Sequence, residues 1–363
     1  MTEFSTKQDR IQALLEDRQL EALLLHRVSS FAWATCGLVS YVNTASTTGE
    51  ASLLITRSER NLITNNIEAA RLLGEAKLAE QSWQFQVAPW HEKQDAVARL
   101  AGGLRLGADV AVPGAMDLSH DVARLRANLT PEEGERFRAL GRLCGDSIDG
   151  AVRKVKPGQT EYEIAALLSG EAEQRGVQAI VNLIATDDRA FTLRHPLPTA
   201  KRLERYAMLV LCGRRWGLVC SVTRLVHFGR IPSELRYKAE AVARVDATFL
   251  HATRPGQALG QVFRRAAAAY SETGFPGEWQ HHHQGGPAGY EPREYIAAPD
   301  SQDPVQTGQA YAWNPSIAGT KSEDTVLVAD SGPEILTVTA GWPQLSVTLG
   351  ATEYTRPAIL EVL

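Results

Sequence analysis

The C-terminal half of the chain holds several side chains able to move protons or hold charge. His195, in Arg194–Thr199 (RHPLPT), carries an imidazole that titrates near neutrality, which suits general acid–base work. The plainer alternative is a loop histidine ahead of Pro196. Glu294 and Glu323 could each hold a cationic amine or guanidinium, or act as a base if burial raised the pKa. Their alternatives are a surface carboxylate and a strand-end residue paired to an arginine. Arg224 and Arg293 could clamp a carboxylate bidentately, or serve in structural ion pairs. Asn314, ahead of Pro315, can donate and accept hydrogen bonds without charge, or simply form a turn.

Other residues invite chemistry less. His281, His282 and His283 form a run, but consecutive side chains on a strand point to opposite faces. Convergence on one ion would need a turn, so no metal is expected there. A nucleophilic Cys220 would need a depressed pKa, and a lone cysteine among apolar strand residues reads as a small core residue. Trp216, Trp279 and Trp313 could wall a cleft, although large aromatics default to packing. Gly285-Gly286 reads as a tight turn or as backbone close to a ligand.

The elements that must position these groups follow from pattern. The 363 residues suffice for two domains, and 44% hydrophobic with 22% charged residues is ordinary for a globular chain. A net charge of −4 gives no long-range attraction for nucleic acid or an anionic membrane. No apolar run reaches the ~18 residues of a membrane span. The polar start MTEFSTKQDRIQ lacks the apolar stretch of a secretion signal, and Cys36, Cys144, Cys212 and Cys220 read as free thiols. A cytoplasmic location is expected.

The first part of the chain alternates helix and strand patterns. Ile11–Arg18 is helical, Leu20–His26 is an apolar run, Ala51–Thr56 and Asn61–Thr64 are buried strands, and Ile67–Leu78 is helical. No phosphate-binding glycine fingerprint accompanies them. A boundary falls at 128/129: Thr130 suits a helix N-cap, Pro131 the first turn, and Glu132 and Glu133 the positive helix end. That helix should run to about Lys154. Beyond it, Ile148–Val177 and Val245–Phe275 repeat a scheme. In each, a helix end is followed by a basic residue, Pro-Gly-Gln and a second helix closed by glycine. The interval from Pro157 to Gly176 equals that from Pro255 to Gly274. Thr160 and Glu163 form a capping-box pattern. Strand signals follow each unit, at Ala207–Cys212 and Leu218–Phe228, then at Ala310–Trp313, Thr325–Ala329 and Ile335–Val338.

Taken with RHPLPT, Gly217–Arg224, Gly289–Glu294 and Ser322–Val328 (SEDTVLV), this organisation resembles the creatinase, aminopeptidase P and methionine aminopeptidase superfamily. The resemblance implies an α+β pita-bread fold with pseudo-twofold duplicated halves over 129–363. A smaller creatinase-type N-terminal α/β domain would occupy 1–128. It also implies a homodimer, with the N-terminal domain of one subunit near the other's cleft.

In metal-binding members two aspartates, a histidine and two glutamates hold a pair of ions. Here the resemblance puts Val210 and Ser221 at the aspartate positions, Gly286 at the histidine and Asn314 at the first glutamate. Only Glu323 survives. No aspartate lies between Arg189 and Thr223, so a shift of register cannot restore the first pair. His195 and His282 match cleft histidines of the family, and Arg293 stands where peptidases have the histidine of a His-Glu pair.

The implied reading is a metal-independent, creatinase-like hydrolase or lyase acting on a C–N bond of a small amino-acid-like, guanidino or amide compound, without cofactor. His195 would shuttle protons, with His282 as a cleft proton donor. Glu323 and Glu294 would hold the substrate's cationic end, and Arg224 or Arg293 its carboxylate. Asn314 would polarise the scissile group, with Ser221 and Trp313 beside it. Two alternatives are a non-catalytic pseudo-peptidase that binds peptide or protein, and an Xaa-Pro-type metallo-aminopeptidase.

Overall fold

The structure, a computed structural model, describes residues 2–74, 78, 81–92 and 95–363. By contacts the chain divides into two compact units, Met1–Glu132 with Trp216–Leu218, and Glu133–Arg215 with Val219–Leu363.

The first unit is built on a six-stranded sheet. Its strands are β1 (Ala22–Arg27), β2 (Thr48–Thr56), β3 (Arg60–Asn65), β4 (Gln84–Ala88), β5 (Leu106–Ala108) and β6 (Met116–Asp117), in the order β4-β3-β2-β1-β5-β6. The apolar run at Leu20–His26 becomes β1 because Leu23 and Leu25 are fully buried on one face and Ala22 and Leu24 pack on the other. The N-terminal helix is longer than its apolar pattern, Glu3–Asp17, because Thr2 and Ser5 close a capping box ahead of it. The helix expected over Ile67–Leu78 is observed as Asn66–Gly74, and 75–77 lie outside the described residues.

The second unit shows the duplication. Helices Pro131–Val152 and Glu161–Glu173 precede β7 (Gln178–Thr186), β8 (Tyr206–Arg215) and β9 (Leu218–Phe228). Helices Ser233–Ala252 and Leu259–Glu272 precede β10 (Gly285–Ala288), β11 (Ala310–Trp313), β12 (Ser316–Ile317), β13 (Thr320–Lys321), β14 (Asp324–Ala329) and β15 (Gly332–Ile335). Strands β16 (Gln344–Leu349), β17 (Thr352–Pro357) and β18 (Leu360–Val362) close the chain. Two four-stranded sheets result, β18-β9-β8-β7 and β10-β11-β14-β15. The Pro-Gly steps are matched in backbone as well as in sequence. Gly158 and Gly256 have φ of 89° and 85°, and the helix-closing Gly176 and Gly274 have 67° and 87°. A side chain other than glycine strains at such angles. Thr160 and Glu163 form the expected reciprocal cap.

Strands β8 and β9 are buried over almost their whole length, so they read as apolar runs rather than alternating ones. Three sequence expectations are corrected. The helix from Pro131 stops at Val152 rather than Lys154. β7 carried no recognised strand signal. The strand expected at Ile335–Val338 is Gly332–Ile335, since the chain beyond it turns to serve a buried charge network.

That network joins four segments. Asp324 accepts from Arg224 Nη2 at 3.0 Å, from Thr337 Oγ1 at 2.6 Å and from Arg356 Nη2 at 2.6 Å. Arg356 Nε also donates to Asp246 on helix Ser233–Ala252 at 2.7 Å. Arg356 is 1% exposed and Arg224 3%, so neither charge reaches water. Removing one member of such a group strands the others. Arg356→Met should therefore lower unfolding stability by about 3–5 kcal/mol, measured by urea denaturation. A change under ~1 kcal/mol would mean the carboxylates find other partners.

Candidate active cleft

Two clusters of sequence-expected residues meet in the second unit. The first is centred on Glu323, which sits between β13 and β14 and is 2% exposed. Its carboxylate accepts from Arg293 Nη2 at 2.9 Å and Thr223 Oγ1 at 2.6 Å, and pairs with Lys321 Nζ at 2.8 Å. Arg293 Nη1 also donates to Ser221 Oγ at 3.1 Å, and Ser221 Oγ lies 3.3 Å from Cys212 Sγ. Burial alone would push the Glu323 carboxyl up. Lys321 and Arg293 outweigh it and bring the pKa down to about 2.

The second cluster is imidazole. His282 Nε2 lies 3.0 Å from His195 Nε2, and Asn314 Nδ2 lies 3.4 Å from His282 Nδ1. His283 packs beside both, with ring centroids 4.4 Å from His282 and 5.9 Å from His195. The short 3-10 helix Glu278–His281 ends just before them, and this turn lets neighbours 282 and 283 face one partner. The expectation that the run could not converge is thus corrected for two of its members, while His281 stays exposed. All three clustered imidazoles are driven toward the neutral form, His282 to about 2 and His283 to about 4. Burial is the largest cause for each, followed by Lys321 for His195 and His282 and by Arg293 for His283.

Several expected residues serve elsewhere. Arg224 spends its guanidinium on Asp324, Thr339 Oγ1 and the carbonyls of Thr223 and Thr337, which leaves no donor fork for a substrate. Trp313 is stacked between Phe249 and Tyr311 and donates Nε1–H to Thr253 Oγ1, so it is core rather than cleft wall. Trp279 packs edge-on against Phe263 of the same core. Glu294 is 9% exposed and accepts from the Tyr290 N–H at 2.7 Å, a backbone-holding role. Cys220 is a buried free thiol, and burial pushes the Cys212 thiol up to about 11, away from an activated nucleophile. Glu323 cannot take a substrate's cation as expected, because two internal cations already hold it.

Sequence reasoning missed Lys321 and His283. Lys321 stands two residues before Glu323, the spacing that puts side chains on one face of an extended chain, and this was the available signal.

A pair of ions fits these residues poorly. Val210 is buried among Met208, Leu183 and Leu225, and Ser221 is engaged by Arg293. At Gly286 a Cβ would stand 2.3 Å from the Tyr295 carbonyl oxygen, so no histidine fits without moving backbone. Glu323 already carries Lys321 and Arg293 on its carboxylate.

Glu323→Gln leaves Lys321 and Arg293 unpaired and should cost about 3–5 kcal/mol at neutral pH. The group's pKa is depressed on folding, so its contribution is present above its ordinary value of 4.5 and lost as pH falls toward about 2. In the variant that part of the acid-unfolding limb should flatten, followed by circular dichroism against pH. An unchanged limb would show that the carboxylate is not held as described.

Comparison with known proteins agrees with this frame. A prolidase from Pyrococcus horikoshii OT3 superposes with a TM-score of 0.79 at 19% identity, over 92% of this chain and 98% of its own. An Xaa-Pro dipeptidase from Bacillus anthracis gives 0.80 at 17%, over 99% and 100%. These show the pita-bread fold, with its smaller N-terminal domain. An uncharacterized peptidase of Staphylococcus aureus (strain MW2) is 28% identical over 232 residues, 61% of this chain and 65% of that protein, so the match spans just under two-thirds of the relative. Residues 135–330, more than half of the chain, match the metallopeptidase family M24, and the chain belongs to that family.

Proposed function

We propose that the protein hydrolyses an amide-type C–N bond of a short peptide or small amino-acid-like compound, using organic cations where its family uses ions. Family membership supports a hydrolase. The names borne by the solved structures, prolidase and Xaa-Pro dipeptidase, favour a dipeptide over a guanidino compound, and so favour the peptidase alternative over the creatinase-like substrate. The two-ion form of that chemistry is opposed by Val210, Ser221, Gly286 and Asn314 and by the cations on Glu323.

The observation that carries the reading is the 3.0 Å approach of His195 Nε2 to His282 Nε2. With Asn314 Nδ2 donating to His282 Nδ1, His282 Nε2 carries the proton and donates to His195 Nε2. His195 is the more exposed member and is the one to meet water. In this mechanism water takes the place of His282 at His195 Nε2, and the neutral imidazole accepts the water proton there as the oxygen adds to the carbonyl carbon. It returns the proton to the leaving nitrogen as the C–N bond breaks. Arg293 and Lys321 exceed Glu323 by one positive charge, which favours the anionic tetrahedral intermediate and a substrate carboxylate. Among the described residues no helix is long and apolar enough to cross a membrane.

The test is turnover of a panel of Xaa-Pro dipeptides, other dipeptides and guanidino compounds, with and without EDTA. Hydrolysis that persists in chelator and falls by about 10²–10⁴ in His195→Ala supports the reading. Loss of activity in chelator would restore an ion-dependent peptidase. Saturable binding of a panel member without turnover would favour the pseudo-peptidase. Burial and Lys321 lower the His195 pKa, and the base works when neutral. The acid limb of kcat/KM should therefore have its midpoint below the ordinary value of 6.5. A midpoint above it would remove His195 as the base.

A further inference from the structure

We propose that His195, His282 and His283 form a site for one zinc-type transition-metal ion, distinct in its ligands from the family's dinuclear positions. One coordinating nitrogen from each residue lies within 4.8 Å of the others, and His195 Nε2 and His282 Nε2 are 3.0 Å apart. Zinc–nitrogen bonds of about 2.0–2.1 Å in a tetrahedron place ligand nitrogens roughly 3.3 Å apart, inside that range.

Two orphaned atoms point the same way. His283 Nδ1 is buried and has no hydrogen-bond partner, and neither has Asn314 Oδ1. Turning the Asn314 amide end for end brings Oδ1 to His282 Nδ1–H. That fixes the tautomer in which the His282 Nε2 lone pair is free to coordinate, and it gives the carbonyl oxygen a partner. Amide orientation is the one change that separates a proton-passing His282 from a metal-binding one.

The chemistry of the set selects the ion. Three imidazoles with no carboxylate suit zinc, copper, nickel or cobalt rather than manganese or magnesium. Three protein ligands leave a fourth position for water or an anion. His195 lies on an exposed stretch before Pro196, so the ion has a path in from solvent. Lys321 and Arg293 stand near, with Glu323 cancelling one of their charges; this field weakens binding of the cation itself and favours an anion at the fourth position. Coordination would use the lone pairs of both His195 and His282, so a filled site cannot also pass protons between them. The inference does not rest on the proposed reaction, because ion binding is read directly.

The experiment uses the full chain without an added polyhistidine segment, stripped with EDTA and dialysed. It is titrated with Zn²⁺ by calorimetry and with Co²⁺ by visible absorption. One ion per chain is expected, with the intense bands of four-coordinate cobalt. His195→Ala and His283→Ala should each weaken binding by more than 10-fold, Asn314→Ala by about 10–100-fold, and His281→Ala not at all. His195 is on the exposed stretch, so that variant reads the site even if His283→Ala fails to fold. No saturable binding, two ions per chain, six-coordinate cobalt, or equal loss in His281→Ala would overturn the site.

Discussion

Glu323, gripped between Lys321 and Arg293, is the contact on which the cleft depends. A carboxylate at 2% exposure is costly unless paired, and here two cations and the Thr223 hydroxyl take up its oxygens. The same arginine reaches Ser221, which tethers the β8–β9 hairpin to the loop that follows β10. The Thr223 N–H donates to the Glu323 carbonyl, so backbone and side chain both join β9 to the step between β13 and β14. The positive charge that ions would bring to such a pocket is here attached to the chain.

This arrangement leaves the Glu323 carboxylate occupied by two internal cations. A lone valine or serine at an aspartate position would leave an ion with weakened support. Once Lys321 and Arg293 lie on Glu323, an ion arriving there meets repulsion, and displacing either cation leaves a buried charge unpaired. Gly286 closes the matter sterically, because the Tyr295 carbonyl occupies the space a side chain would need. An aspartate at Val210 would bury a new charge in an apolar cluster.

How much of this was legible in the sequence depended on range. The duplication showed plainly, because Pro-Gly steps and helix-closing glycines are local demands of the backbone, met at Gly158, Gly176, Gly256 and Gly274. The capping box at Thr160 was equally local. Arg224 and Trp313 could not be placed from pattern, since a buried arginine and a substrate-clamping one look alike until partners such as Asp324 and Thr337 are known. His283 was dismissed by a rule for regular strands, and the chain at 282–284 is not a strand. Lys321 was the costlier omission: its meaning comes from Glu323 and Arg293 together, and Arg293 is distant in sequence.

The fixed cations also decide the state of the histidines. Burial beside Lys321 and Arg293 disfavours imidazolium, so His195, His282 and His283 stay neutral where isolated imidazoles would begin to charge. Neutral imidazoles have lone pairs, and a lone pair serves either a proton or an ion. At His282 the choice turns on which atom of the Asn314 amide faces Nδ1. Here Lys321 and Arg293 hold the Glu323 carboxylate, and the neutral histidines keep their electron pairs. Proton transfer and metal binding thus compete for the same two nitrogens, and the pocket cannot do both at once.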